Sequence, residues 1–166
     1  MDELEEESTP EIQILTFFSS EEEYGVNITE VKEIIEYAPM TKIPSSPPFM
    51  RGVINLRGSV VPVIDLACKF GFSESEVTKR TCIVIAEVDH EGKKNPIGVI
   101  VDRVNQVMDI LPEEIEPPPS FGTPIRVDFI QGLAKRDRTF ILILAIDKIL
   151  SLDELKYGFS LLPSGK

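Results

Sequence analysis

The sequence predicts a mainly β protein assembled from two similar small barrels. Three features carry that prediction. Short apolar stretches with strand character follow one another closely, and no long helical pattern alternates with them, which argues against a parallel α/β sheet. Two proline-rich connectors, KIPSSPP and DILPEEIEPPPSFGTP, punctuate the chain at comparable places in its two halves. The segments flanking those connectors repeat.

Local chemistry sets the order of elements. Residues 1–10, MDELEEESTP, are charge-rich and end in Pro10, so they read as a disordered acidic tail. IQILTFF and YGVNI are the strands of a hairpin around the polar turn SSEEE. In NITEVKEIIEY, Asn27 and Glu30 have the spacing of a capping box. The β-branched content and the nearby Pro39 nevertheless favour a short helical turn running into a strand. FMRGVINL and VVPVIDL form a second hairpin. TCIVIAEV and NPIGVIVD form a third, joined by a polar loop holding His90, and FIQGLA and TFILILAI a fourth around KRDR. Ser151 and Glu154 have the signature of a capping box opening a short C-terminal helix that runs to about Tyr157.

The repeat is read from anchors that keep their order. Gly25 matches Gly98 and Val31 matches Val104, at one offset; Phe49 matches Phe129 and Gly52 matches Gly132, at another. Each half ends in a strand pair followed by an aspartate, Asp65 in VIDL and Asp147 in AIDK. A duplicated structural unit leaves this pattern. Units this small bury too little on their own, so the two are expected to pack on each other. The first half carries GVINLRG where the second carries GLAKRDR, so the halves are used differently.

Composition excludes several functions. The formal net charge is −11, which disfavours a nucleic-acid partner, since such partners are held by Lys and Arg on phosphates. An oligonucleotide-binding barrel, which needs a basic strand face bearing aromatics, is a remote alternative. No apolar run approaches the ~20 residues of a membrane helix, and the N-terminus lacks the basic and apolar regions of a signal peptide. A cytoplasmic protein with no membrane insertion is expected. Cys68 and Cys82 lie in apolar surroundings without a CxxC and read as reduced thiols. His90 is the single histidine, and no P-loop, GxGxxG, GxSxG or HExxH occurs. No enzyme, catalytic residue, cofactor or metal is expected. Asp65, Asp102 and Asp147 end or follow strands, where turn and cap roles are usual.

The segment FMRGVINLRGSVVPVIDL, residues 49–66, mixes core and surface. Placing Gly58 and Ser59 at the centre of a type II′ turn pairs Leu56 with Val61 and Val53 with Ile64. One face then collects Gly52, Ile54, Leu56, Val61, Val63 and Asp65 and suits a core. The other collects Val53, Asn55, Arg57, Val60, Pro62 and Ile64. It reads equally as half-exposed surface or as a docking face. Pro62 has no ladder N–H and marks an edge or a bulge. Glu33 is a natural partner for Arg57. An exposed pair of this kind contributes only about 0–1 kcal/mol, so its value is to fix a guanidinium beside apolar Val31.

Taken together, YGVNITEVKEII, PPFMRGVINLRGSVVPVIDL, IGVIVDRVNQV and FIQGLA with FILILAIDKIL resemble the CheW family, the coupling proteins of bacterial chemotaxis. The resemblance spans about residues 12–152. It implies two SH3-like five-stranded β-barrel subdomains, intertwined within residues 11–160, with residues 161–166 as a C-terminal tail. It implies a non-enzymatic adaptor that joins the cytoplasmic tip of a chemoreceptor to the CheW-like regulatory domain of the histidine kinase CheA. It places Val31, Glu33, Gly52, Val53, Asn55 and Arg57 at a receptor-binding groove between the barrels, and carries over no kinase-contact positions. Cys68 departs from the polar or basic residue common there in the family. A coupler of a related non-chemotaxis kinase pathway, such as surface motility, is the alternative.

Overall fold

A computed structural model of the chain describes residues 11–90, 92–118 and 129–149. The acidic tail, the C-terminal helix around Ser151 and Glu154, and the 161–166 tail lie outside the described residues. Eleven strands are described: β1 Ile12–Ser19, β2 Glu22–Asn27, β3 Val31–Glu36, β4 Met50–Leu56, β5 Ser59–Asp65, β6 Cys82–His90, β7 Lys93–Val101, β8 Arg103–Ile110, β9 Ile115–Glu116, β10 Ile130–Arg136 and β11 Thr139–Leu144. Two single helical turns, α1 Leu66–Lys69 and α2 Ile146–Ile149, follow β5 and β11.

The ambiguous NITEVKEIIEY segment resolves into a 3-10 turn, Ile28–Glu30, leading directly into β3. Asn27 caps that turn by accepting the Thr29 N–H at 3.0 Å. His90 is not in the loop expected of it: β6 runs through His90, which pairs with Lys93. β8 covers RVNQVMDI, most of it between the expected strand NPIGVIVD and the connector, where no element was expected; it is a full strand paired along β1.

The strands form a five-stranded sheet, β3-β6-β7-β5-β4, and a six-stranded sheet, β8-β1-β2-β11-β10-β9. The two orders are the same once β3, β6, β7, β5 and β4 are matched to β8, β1, β2, β11 and β10. Each sheet has its single parallel pair at the matching place, β5 with β7 and β11 with β2. Each carries a register shift at the matching glycine, Gly52 and Gly132. In each, the residue after the hairpin bonds back to the phenylalanine before it, Asp65 N–H to Phe49 O and Ala145 N–H to Phe129 O, both at 2.8 Å. The duplication read from the sequence is therefore carried by the backbone. One anchor moves: the structure matches Asp65 with Ala145, so Asp147 corresponds to Ala67 in the helical turn and not to Asp65.

Each sheet also closes in the same way. After β3 the chain crosses to β4, where Thr41 pairs with Val53. After β8 it crosses to β10, where Glu116 of β9 pairs with Leu133. Closure of this kind leaves few unpaired strand edges. The five-stranded sheet wraps a core that includes Ile54, Val61, Val63, Ile83, Ile85 and Ile100. The six-stranded sheet wraps Ile14, Ile110, Ala134, Ile141 and Ile143. A larger shared core between the sheets includes Phe17, Tyr24, Leu66, Val84, Phe129 and Leu144. Two small cores leaning on a common third is the physical answer to units too small to stand alone.

One core position makes a prediction. Thr16 on β1 is fully buried and its hydroxyl has no hydrogen-bond partner. The matching residue on β6 is the buried Ile85. Thr16→Val keeps the β-branched shape and removes an unsatisfied polar group, so it should stabilise the fold by about 1–2 kcal/mol. A thermal melt that does not rise would mean that the hydroxyl is satisfied in solution.

Candidate partner-binding site

The Arg-Gly hairpin is built by its own side chains. Leu56 pairs with Ser59 and Asn55 with Val60, so the turn is Arg57-Gly58 and not the expected Gly58-Ser59. Arg57 has φ 51° and Gly58 φ 89°, the two left-handed residues of a type I′ turn, whose twist matches that of the strands. Asn55 Oδ1 accepts the Gly58 N–H at 2.8 Å and holds the turn in place. This changes each pairing by two residues. Since side chains alternate with a period of two, the face assignments survive.

Pro62 is also corrected. It lies on no edge: β5 is interior, between β7 and β4. Val53 gives its N–H to Thr41 O at 2.8 Å, away from β5, so the Val53–Pro62 pair is a non-hydrogen-bonded one. The missing proline N–H then faces β7, where the ladder begins only at Val63 with Gly98. Its counterpart Leu142 does have an N–H, and there the ladder starts one residue earlier, at Leu142 with Tyr24.

The turn delivers Arg57 to Glu33 on β3, and their side chains form an ion pair. Arg57 is exposed and Glu33 half-buried, so the pair is worth about 0–1 kcal/mol. It spans the two edge strands of the five-stranded sheet. The second half has a related tie: Arg136 reaches the Gln106 amide oxygen at 2.7 Å, once that amide is oriented with its oxygen towards the guanidinium. A register shift between Val31 and Glu33 breaks the alternation of β3: Val31 pairs with Ala86 and packs on the shared core, whereas Glu33 pairs with Ile85, the neighbouring β6 residue that belongs to the core of the five-stranded sheet. Val31 also lines an apolar cavity between the sheets, together with Phe17, Val26, Leu66 and Leu144; Glu30 lies at it too.

Six residues were expected to share one groove, and the structure gives them separate tasks. Glu33 and Arg57 meet, while Val31, across a register shift in β3, packs on the shared core. Val53 is half-buried in the β4 edge, bonded to Thr41. Asn55 is exposed and committed to the turn. Gly52 is buried and serves closure: a Cβ there would lie 2.5 Å from Thr41 O.

Arg51 was missed. Its side chain is 11% exposed and its guanidinium donates to Asp65 Oδ2 at 2.7 Å, with the Asp65 side chain only 1% exposed. It also reaches Tyr37 Oη at 3.1 Å, Ser75 O at 3.3 Å and Glu74 Oε2 at 3.3 Å. Asp65 further accepts from Ser75 N–H at 2.8 Å, Ser75 Oγ at 2.7 Å and Ala67 N–H at 3.1 Å, the last capping α1. Burial alone would push the Asp65 carboxyl up. The Ser75 and Arg51 hydrogen bonds and the Arg51 charge outweigh it and hold the carboxyl below its ordinary value. A signal was present in the repeat: Arg51 aligns with Gln131 and Asp65 with Ala145, so both partners are lost together in the second half.

Asp102, expected in a turn or cap of its own strand, instead accepts at 3.0 Å the N–H of Ser20 in the β1–β2 turn, far away in sequence. Cys68 and Cys82 are free thiols, and burial pushes both up, which blunts their reactivity at neutral pH. Among the described residues no group of three or more His, Cys, Asp or Glu is placed to hold a metal. No described helix is long and apolar enough to cross a membrane.

Comparison with known proteins fits this geometry. The family model described as CheW-like domain matches residues 13–154. The chain is 33% identical over 142 residues to the probable chemotaxis protein CheW of Rhizobium etli, covering 86% of this chain and 89% of that protein. It is 32% identical over 143 residues to the chemotaxis protein CheW of Klebsiella aerogenes, covering 86% and 84%. The crystal structure of the scaffolding protein TtCheW from Thermoanaerobacter tengcongensis superposes with a TM-score of 0.77 at 39% identity, covering 87% of this chain and 95% of that one.

Proposed function

Since the chain belongs to the CheW family of non-enzymatic chemotaxis scaffold proteins, we propose that it couples the cytoplasmic tip of a chemoreceptor to the CheW-like regulatory domain of the histidine kinase CheA. It would work in the cytoplasm, recruited to receptors in the membrane. One observation carries the receptor half of this reading: a tight turn delivers the exposed Arg57 onto Glu33 of the edge strand β3, which orients the guanidinium at the surface. A helical hairpin tip is recognised by an apolar groove with a few oriented polar groups, and this arrangement supplies them. The kinase half rests on the likeness of the two domains, which lets barrel meet barrel.

The test is binding to a receptor cytoplasmic fragment by titration calorimetry. Arg57→Ala and Glu33→Ala should each weaken binding about tenfold, the loss of one oriented polar contact. Thermal stability should change by no more than about 1 kcal/mol, because the pair is exposed. Unchanged affinity in both variants would remove this surface from the receptor contact. Co-purification of a histidine kinase and a receptor with the chain from its own cells tests the coupling itself.

A further inference from the structure

The two barrels end differently. Beyond α1, residues 74–78 are tied to the end of the five-stranded barrel by polar contacts. Ser75 gives its N–H and its hydroxyl to Asp65 at 2.8 and 2.7 Å, its carbonyl accepts from Arg51 at 3.3 Å, and Thr78 N–H donates to Thr81 Oγ1 at 2.8 Å. In the second half the matching residues are Ala145 for Asp65, Gln131 for Arg51 and Ile12 for Thr81. There the same end of the barrel is an opening of about 280 Å³, lined by Ile12, Ile14, Pro112, Ile115 and Ile143, with Asn27 and Gln131 as the polar members.

The chain carries a matching cover. The motif that ends α1, KFGFS at 69–73, returns beyond α2 as KYGFS at 156–160. In the first occurrence Gly71, at φ 89°, turns the chain away from the helix, with its N–H on Cys68 O at 3.0 Å and that of Phe72 on Ala67 O at 2.8 Å. The two residues after the motif, Glu74 and Ser75, are those that reach Arg51 and Asp65. After the repeat, the same two places are Leu161 and Leu162, outside the described residues. Cover and site have therefore changed together. One half sets Glu74 and Ser75 on Arg51 and Asp65, and the other offers two leucines to isoleucines, Gln131 and Ala145. From Ile149 to Leu161 the chain can reach about 40 Å, ample for a barrel end.

We infer that residues 159–163 cover the open end of the six-stranded barrel, with Leu161 and Leu162 seated against Ile12, Ile115 and Ile143. Removing these leucines and the isoleucine-lined hollow from water supplies the driving force. Residues 1–10 lead into β1 beside the same opening, but they are mostly acidic and suit water over an apolar hollow.

The test uses the full chain. Leu161→Asp with Leu162→Asp should lower the melting temperature by about 5–10 °C, the loss of two seated leucines; an unchanged melt overturns the inference. Position is read from disulfide formation between Leu162→Cys and Gln131→Cys, with Cys68→Ala and Cys82→Ala to remove the native thiols. The bond should close within one chain about tenfold faster than for Leu162→Cys with Lys93→Cys, on the exposed β6–β7 hairpin of the other sheet, because a seated segment has a raised effective concentration at its site. Equal rates overturn the inference. A cross-link found only between two chains also overturns it and gives the opening to a second copy. Faster closure of Gln131→Cys with Glu5→Cys overturns it in favour of the N-terminal residues.

Discussion

Arg51→Ala should lower the unfolding free energy by about 3–5 kcal/mol, measured by denaturant unfolding at neutral pH, because it strands the buried Asp65 carboxylate without its cation. The double variant Arg51→Gln, Asp65→Ala reproduces what the second half carries, Gln131 and Ala145. It should be less damaging than Arg51→Ala alone, since no unpaired charge remains buried. The pair also sets an acid limit. Asp65 is held below the ordinary carboxylate value of about 3.9, so its contribution is fully present above that value and is lost as pH falls through the lower folded-state pKa. Wild-type stability should therefore fall more steeply with acid below about pH 4 than that of Asp65→Asn. Parallel pH curves for the two proteins would show that the pair contributes no linkage.

Gly52→Ala should cost about 2–3 kcal/mol, the scale of overpacking in a closed interior. The added Cβ would sit 2.5 Å from Thr41 O and 3.1 Å from Thr41 C. Both are backbone atoms that cannot rotate away. Relief requires opening the two bonds that seal the five-stranded sheet, Thr41 N–H to Val53 O at 3.0 Å and Val53 N–H to Thr41 O at 2.8 Å. Gly132, its counterpart, is crowded in the same way, by Ile115 Cγ2 at 2.5 Å and Glu116 O at 3.3 Å, so Gly132→Ala should also destabilise. Thermal unfolding of both variants, with receptor-fragment binding of Gly52→Ala below its melting temperature, checks the assignment. A Gly52→Ala protein of unchanged stability and weakened binding would return Gly52 to the partner surface.

Periodicity and turn chemistry made much of this molecule legible. Short apolar runs located the hairpins, because side-chain alternation is a local property. The repeat was legible because the duplication preserved residues at points where the backbone has no alternative, such as the glycines that receive a crossing strand. The Glu33–Arg57 pair followed from charge and from the small size of a barrel. What local reading misjudged depended mostly on partners distant in sequence, although the turn was decided by a side chain three residues away. The Arg57-Gly58 turn won over Gly58-Ser59 because the Asn55 side chain captures one N–H. Pro62 sits in an interior strand because the β5–β7 ladder starts just beyond it. Arg51 looked like one more basic residue, since its role needs Asp65 and Ser75 brought to it by the fold.

The sequence by itself determined the β character, the duplication, the family and the pairing of Arg57 with Glu33, because each is written in neighbouring residues or in motifs that survive intact. Only the tertiary structure decided that β1 and β2 complete the sheet of the other half, that Gly52 is there for Thr41, and that the Thr16 hydroxyl is left without a partner. Those outcomes come from the order in which strands meet and from what burial leaves unpaired, and neither quantity exists until the chain has closed.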